Sequence, residues 1–545
     1  MDGRSRLSGN SSGKDSNKSV FVRQATGLVK EAGLFDIFQF NAVSATGVAI
    51  ISGSALLLPL MTYGNGIWES ITIGFLLSLF VNVVYYVLST TIPRSGGDYV
   101  YISRLMHPSL GVLSAGLTGI FGTLVLAATF GASVWVTSGL IPLLSAVGQA
   151  DLASSLSSTT SLTIAGILTT ILFGAILILG GNRIYYRLNN LLYGVAILGI
   201  IAATLSFLVV GHSQFLNLFN NYASKYSTNA TDIINTANSL GYKQPGSGIW
   251  SVMVASALLF TSFYWMTQSS YLGGEIRNSK RNQFWGMIGA AVFWYVLTLV
   301  SVYGLYTVVG PDLISHASYL NFFQPASWKI PVVSFFALYA NIAANNVIVQ
   351  ILISLAFIFG YITVTAWSYM IFSRAVFALS FDRLFPTSLS DINDRFHTPV
   401  KAFIVFGILT GIFLILLTIP STAVTIYTYG VGLNVVYMIS FILASISLVV
   451  LPYRYKSLFD SSSPIRSRIG GIPSVSILGV ISVITLVFYE YVFITNSTYF
   501  GVTTNFLEVM LGFIVFFLAL YFVVKEIRKR QGINVELAYR EIPPE

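Results

Sequence analysis

Four consecutive small or polar residues, Ser44-Ala45-Thr46-Gly47, interrupt the apolar stretch from Phe35 to Met61. Hydrocarbon cannot satisfy the peptide groups that such a break frees. It is tolerated only where the backbone lines a cavity or is covered by protein. The chemistry this permits is recognition rather than bond making. Amide N–H groups at the start of a half-helix attract a carboxylate, and carbonyls at the end of another accept from an ammonium group or coordinate a cation. Nothing else in the chain is arranged for covalent catalysis. Cysteine is absent, so there is no thiol nucleophile or thiolate metal site, and His107, His212, His316 and His397 are dispersed over separate loops. The chain is therefore expected not to be an enzyme and to need no metal or organic cofactor.

The elements that would position this break are membrane spans. Of 545 residues 55% are hydrophobic and only 9% charged, and the mean hydropathy is +0.76, far more apolar than an ordinary globular domain. Runs long enough to cross a hydrocarbon core recur at Phe35 to Met61, Trp68 to Ile92, Leu110 to Leu144, Leu162 to Leu179, Leu188 to Val210 and Ile249 to Leu272. They continue at Phe284 to Val309, Val347 to Phe372, Ala402 to Ile419, Val424 to Leu451, Val475 to Ile494 and Phe506 to Val524. This predicts an all-α integral membrane protein of about twelve helices.

Positive charge orients those helices, because loops rich in Lys and Arg stay in the cytoplasm. With the N-terminus inside, all of the 29 Lys and Arg residues except Lys225, Lys243 and Lys329 fall in inner segments. An odd span count would scramble that partition. Both termini are accordingly expected in the cytoplasm, with the protein in the plasma membrane. The net charge of +9 then reads as topology plus attraction to anionic lipid, with no nucleic-acid partner. Residues 1–33 and 525–545 read as tails. Asn229 and Asn496, each in an Asn-x-Ser/Thr triplet on an outer loop, fit glycosylation acceptors.

Inner loops carry the sharper motifs. Pro93-Arg94-Ser95-Gly96-Gly97-Asp98-Tyr99 follows the second span, Gly273-Gly274-Glu275-Ile276-Arg277-Asn278-Ser279-Lys280-Arg281 the sixth, and Ser373-Arg374 with Asp382-Arg383-Leu384-Phe385-Pro386 the eighth. In this order the three segments resemble the amino acid/polyamine/organocation superfamily of secondary transporters, over about Leu34 to Lys401. The resemblance implies the leucine-transporter type of fold. That is two inverted five-helix repeats, 34–211 and 249–451, with the first and sixth spans broken at mid-membrane, and two accessory helices within 473–524.

Carried onto this sequence, the family's first break falls on Gly47-Val48-Ala49 and its second on Phe263-Tyr264-Trp265-Met266-Thr267. Ala49 and Trp265 stand where the family has glycine, and Thr267 where it often has Glu. The polar run Thr267-Gln268-Ser269-Ser270 lies beside the second break. Substrate contacts are thus expected from Ser44, Ala45, Thr46, Gly47, Val48, Ala49, Phe263, Tyr264, Trp265 and Thr267, with packing as the alternative role for the aromatic residues.

Charge narrows the solute. No ionisable residue stands at mid-membrane depth in the ten core helices, and Glu490 and Glu508, toward the outer ends of the last two, read as interfacial. A basic solute would want a buried carboxylate, so a neutral, zwitterionic amino acid is expected. Coupling is open between protons, sodium and exchange. Ala196 occupies the place of the lysine found in proton-coupled relatives, while Thr363, Thr365 and Ser368 offer hydroxyls for sodium unless they bond back to their own helix. Arg94, Glu275, Arg374 and Asp382, all on inner loops, would form ion pairs that close an inner gate. An amino acid/polyamine exchanger and a non-transporting amino acid receptor remain alternatives. A channel charge ring and the basic loop motif of the major facilitators are both missing from the sequence.

Overall fold

A computed structural model describes residues 30–45, 47–393, 395 and 398–539. The described residues are all-α apart from two isolated bridges and one short hairpin, in which Arg468–Ile469 pairs with Ile472–Pro473 through the positive-φ turn Gly470-Gly471. Spans two and three are Gly66–Thr91 and Pro108–Ala146. Spans four and five form one helical stretch, Thr159–Val209, bent at Gly181, whose φ of 65° only glycine adopts without strain. Spans seven, eight and nine are Ser279–Val309, Val347–Phe381 and Val400–Leu416. Spans ten to twelve are Pro420–Arg454, Ser474–Thr495 and Thr504–Arg530. Among the described residues ten helices are long and apolar enough to cross a membrane, Thr159–Val209 covering two of the expected spans, and Val400–Leu416 is a shorter apolar helix in place of the ninth. The sixth is shorter than its apolar run and ends within Phe263–Thr267, where the resemblance implies a break. Its helix, Ile249–Tyr264, stops well short of Leu272.

Loops assort onto two faces as the charge pattern requires. On one, which we call the basic face, Arg277 donates to Glu31 O, Arg454 to Leu105 O and Arg528 to Arg383 O. On the other, Tyr63 donates to Asp312, His212 pairs with Val308 O and Lys329 donates to Ser227 O. The second face also carries four loop helices, His212–Ala223, Ala230–Ser239, Pro311–Phe323 and Phe336–Ala344. Leu168, Leu179, Leu191, Ile408, Ile484 and Leu511 point outward, as side chains facing lipid should.

Close helix packing brings the core together, since lipid tails are as apolar as leucine and only tight contact favours association. A Cβ on Gly74 would lie 2.7 Å from Ser256 O, so the second span sits directly against the sixth. Likewise a Cβ on Gly199 would collide with Leu352 O, and one on Gly131 or Gly139 with Thr365 or Ile358, which fixes the third and fifth spans on the eighth. The third span accommodates this with π-type turns at Ala115–Gly122, Ala127–Val134 and Val136–Leu140.

Candidate substrate site and gate

After Tyr264 the chain runs non-helically through two short 3₁₀ turns, Gln268–Tyr271 and Gly273–Glu275, and every residue from Trp265 to Ile276 is buried. Side chains, most of them from other spans, and the backbone amide of Gly96 supply hydrogen bonds that the helix gives up. Asn82 Nδ2 donates to Phe263 O at 3.3 Å and Thr267 Oγ1 to Tyr264 O at 2.9 Å. Asn41 Oδ1 accepts from Ser269 N at 2.7 Å while its Nδ2 reaches Ser269 Oγ and Gly286 O. Gln283 Nε2 donates to Ser269 O, Tyr101 OH to Ser270 O and Gly96 N to Tyr271 O. Such a stretch survives inside a membrane protein only with this degree of internal pairing.

Around the helix end stands an aromatic cluster. The Trp265 ring lies 4.6 Å from Tyr437, 6.1 Å from Trp367 and 6.2 Å from Phe441, and Phe40 of the first span approaches Trp367 at 6.3 Å. Asn434 Oδ1 accepts from Trp265 Nε1 and Tyr264 OH, both at 3.4 Å. Three residues on, both amide atoms of Gln268 are buried without a protein partner. Phe263 packs elsewhere, edge-on to Phe75 and Tyr295.

On the basic face two motifs meet. Glu275 receives Arg374 Nε at 2.9 Å and Nη2 at 2.8 Å, and Asn182 bridges both partners, donating to Glu275 and accepting from Arg374. Glu275 O also accepts from Glu31 N and Ala32 N, so the start of the first span is tied to the same point. A buried pair is tolerable only with such geometry and extra hydrogen bonds. Gly273 packs so closely on Arg94 that a Cβ would sit 2.7 Å from Arg94 O.

A sequence profile described as amino acid permease matches residues 35–520. The chain belongs to the amino acid permease family. The permease is 22% identical over 506 residues to Branched-chain amino acid permease BcaP of Bacillus subtilis (strain 168), a match covering 90% of this chain and 93% of that one. It is 25% identical over 288 residues to Uncharacterized protein 399 of Sulfolobus islandicus rod-shaped virus 1, covering 52% of this chain and 58% of the viral protein, under two thirds of its length.

Other expected residues fall as follows. The described residues of the first span are helical on either side of Thr46, over Leu34–Ala45, which holds Ser44 and Ala45, and over Gly47–Leu56; Thr46 lies outside the described residues. Val48 is buried against Gly360 of the eighth span, and Ala49 is half-buried. Thr363 Oγ1 bonds back to Phe359 O and Gly360 O. Thr365 faces Gly131 of the third span, while the Oγ atoms of both Thr365 and Ser368 are buried without partners.

Two sequence readings need correction. Asp382 pairs with Arg104 at 2.6 Å, both buried, and Arg94 Nη1 donates to Pro93 O. Tyr99 OH donates to the same Asp382 oxygen and meets Tyr539 OH at 2.9 Å, so the C-terminal segment joins this cluster. Burial pulls the Arg104 guanidinium down, but Asp382 and the phenols of Tyr99 and Tyr539 outweigh it and hold Arg104 above its ordinary range. The signal was present, because Arg104 is the second of only two basic residues between spans two and three. Glu490 is likewise not simply interfacial, since its Oε2 is shielded by protein without a partner. Asn229 and Asn496 both spend their side chains on local backbone: Asn229 caps a helix by accepting from Asp232 N, and Asn496 donates to Val492 O.

Proposed function

We propose that the permease moves a neutral amino acid with a branched aliphatic side chain across the plasma membrane by alternating access, with both termini in the cytoplasm. The observation that carries this reading is the buried, non-helical stretch after Tyr264. It places the bare amide of Gln268, donor and acceptor at once, three residues from an aromatic cluster. Trp265, Trp367, Tyr437, Phe441, Asn434 and Gln268 carry no charge at neutral pH. That favours a zwitterion, whose charged ends are met by backbone dipoles and amides, over a cationic solute that needs a carboxylate. The rings suit an apolar side chain. The name of the Bacillus relative, a branched-chain amino acid permease, supports the branched-chain assignment.

In this reading the basic face is the inner side, the Glu275–Arg374 pair is the inner gate, and Ser368 with the first-span carbonyls is the place a coupling ion would occupy. Uptake of labelled leucine into liposomes, competed by a panel of amino acids, tests the proposal. Leucine, isoleucine and valine should compete, and lysine and putrescine should not. Efficient carriage of lysine or putrescine with no uptake of neutral amino acids would defeat the charge argument.

A further inference from the structure

Asp98 is the buried acid that the gate pairs leave over. It opens the helix Asp98–Leu105 just after Gly96-Gly97, where three elements converge. Tyr85 comes from the second span, Ser114 from the third and Tyr271 from the non-helical stretch, and their hydroxyls face the Asp98 carboxyl. Asp98 is fully buried. Neither of its oxygens, nor any of those three hydroxyls, completes a hydrogen bond of good geometry.

The cations nearby are committed elsewhere. On its own helix Arg104 holds Asp382, and Tyr101 is the remaining titratable neighbour. From the eighth span Arg374 holds Glu275, and from the tenth Arg454 donates to Leu105 O and Met106 O. No ion pair reaches Asp98 among the described residues. An ionised carboxylate shut away with no counter-charge is not sustainable, whereas a protonated one donates to one hydroxyl and accepts from the others.

We propose that Asp98 is a proton-binding site of the permease and that the proton it holds keeps the inner gate shut. The proposal deepens the alternating-access reading, because the elements around Asp98 are those that must part for the basic face to open: the Gly96 loop, the stretch through Tyr271, and the third span. Burial pushes the Asp98 carboxyl up to about 7, against hydroxyl neighbours that pull it down. Opening hydrates the seam and returns the group to roughly the ordinary carboxylate range near 4. The closed form therefore binds this proton about a thousandfold more tightly than the open form. The sign follows from linkage. Below about pH 4 both forms are protonated and there is no bias. Between about 4 and 7 only the closed form keeps its proton, so the closed form loses about tenfold in population per pH unit as pH rises, and the loss levels off above 7.

The chain contains no cysteine, so a single introduced thiol reports conformation cleanly. Ala32 is fully buried in the seam with Ile276. The full-length protein carrying Ala32→Cys is placed in liposomes and its modification by N-ethylmaleimide timed from pH 5 to 8.5, with and without Asp98→Asn. The rate with Asp98 divided by the rate with Asp98→Asn removes the thiol's own titration. That ratio should rise at least tenfold with pH and level off near 7. Tyr85→Phe, which deletes a hydroxyl that lowers the acid, should move the plateau to higher pH, and it keeps the test alive should Asp98→Asn fail to fold. A ratio flat across pH, a plateau unmoved by Tyr85→Phe, or closure by sodium at fixed pH that Asp98→Asn abolishes would each overturn a proton site. Uptake is not measured, so failure of the transport reading would show separately.

Discussion

Replacing Arg374 with alanine should open the gate rather than unfold the protein. The side chain supplies two hydrogen bonds to Glu275, at 2.9 and 2.8 Å, and others to Asn182 Oδ1 and Ser373 Oγ. Arg374→Ala leaves a carboxylate that is 1% exposed with only Asn182 Nδ2, 2.9 Å away, as a side-chain donor. Breaking a buried pair from one side costs about 3–5 kcal/mol. The protein can shed that cost by hydrating Glu275, which means separating the sixth-span loop from residues 31–33. The equilibrium between closed and open forms should then shift by roughly a hundredfold to several thousandfold. The assay is maleimide labelling of Ala32→Cys at fixed pH, where Arg374→Ala should speed modification at least tenfold. Adding Glu275→Gln to it removes the orphaned charge and should restore most of the protection. Unchanged labelling in the single variant, or a double variant as open as the single, would refute the electrostatic argument. An effect confined to protein abundance would make the pair a folding determinant only.

Two further substitutions test the non-helical stretch and the loop that braces it. Asn41→Ala orphans Ser269 N–H, a buried backbone group at about 1–3 kcal/mol, so thermal unfolding of the purified protein should show a loss of roughly 1–3 kcal/mol; a loss below about 0.5 kcal/mol would mean that water or another side chain takes over. Gly97→Ala should be more damaging than Gly64→Ala. Both glycines have positive φ, 53° and 61°, but a Cβ on Gly97 would lie 2.6 Å from the Tyr271 ring whereas Gly64 faces open space. Gly64→Ala should therefore show only the backbone strain of about 1–2 kcal/mol, and equal melting temperatures for the two variants would contradict the packing argument.

What the sequence conveyed was whatever is written locally. Apolar run length located the spans, the Lys and Arg pattern sorted their loops, and Gly96-Gly97 announced a turn that the backbone does take with φ of 118° and 53°. The motif residues Glu275 and Arg374 proved to be partners. Residues whose partners lie far along the chain were not legible. Asn41 looks like one polar residue in an apolar helix until Ser269, 228 positions away, is seen to need it. The same holds for Asn82, Tyr101 and Gln283. Asp382 was grouped with Arg94, Glu275 and Arg374 because all four lie in the inner-loop motifs, but Arg104, inside the short helix after Gly97, is the residue that reaches it at 2.6 Å. Trp367, Tyr437 and Asn434 passed as ordinary span residues, since nothing in a helical apolar pattern says which side faces Trp265. Asp98 was read as part of a turn; its significance lies in the tyrosines around it, which come from elsewhere in the chain.

The central claim is that a small zwitterion docks at the unwound segment beyond Tyr264. Ser270 sits in that segment, buried, with its hydroxyl unpartnered, so Ser270→Cys is a small change in a chain without other thiols. Its modification rate by N-ethylmaleimide should fall saturably as leucine is added, and lysine or putrescine should have no effect. A rate indifferent to leucine, in protein that accumulates leucine, would place the solute elsewhere and contradict the account.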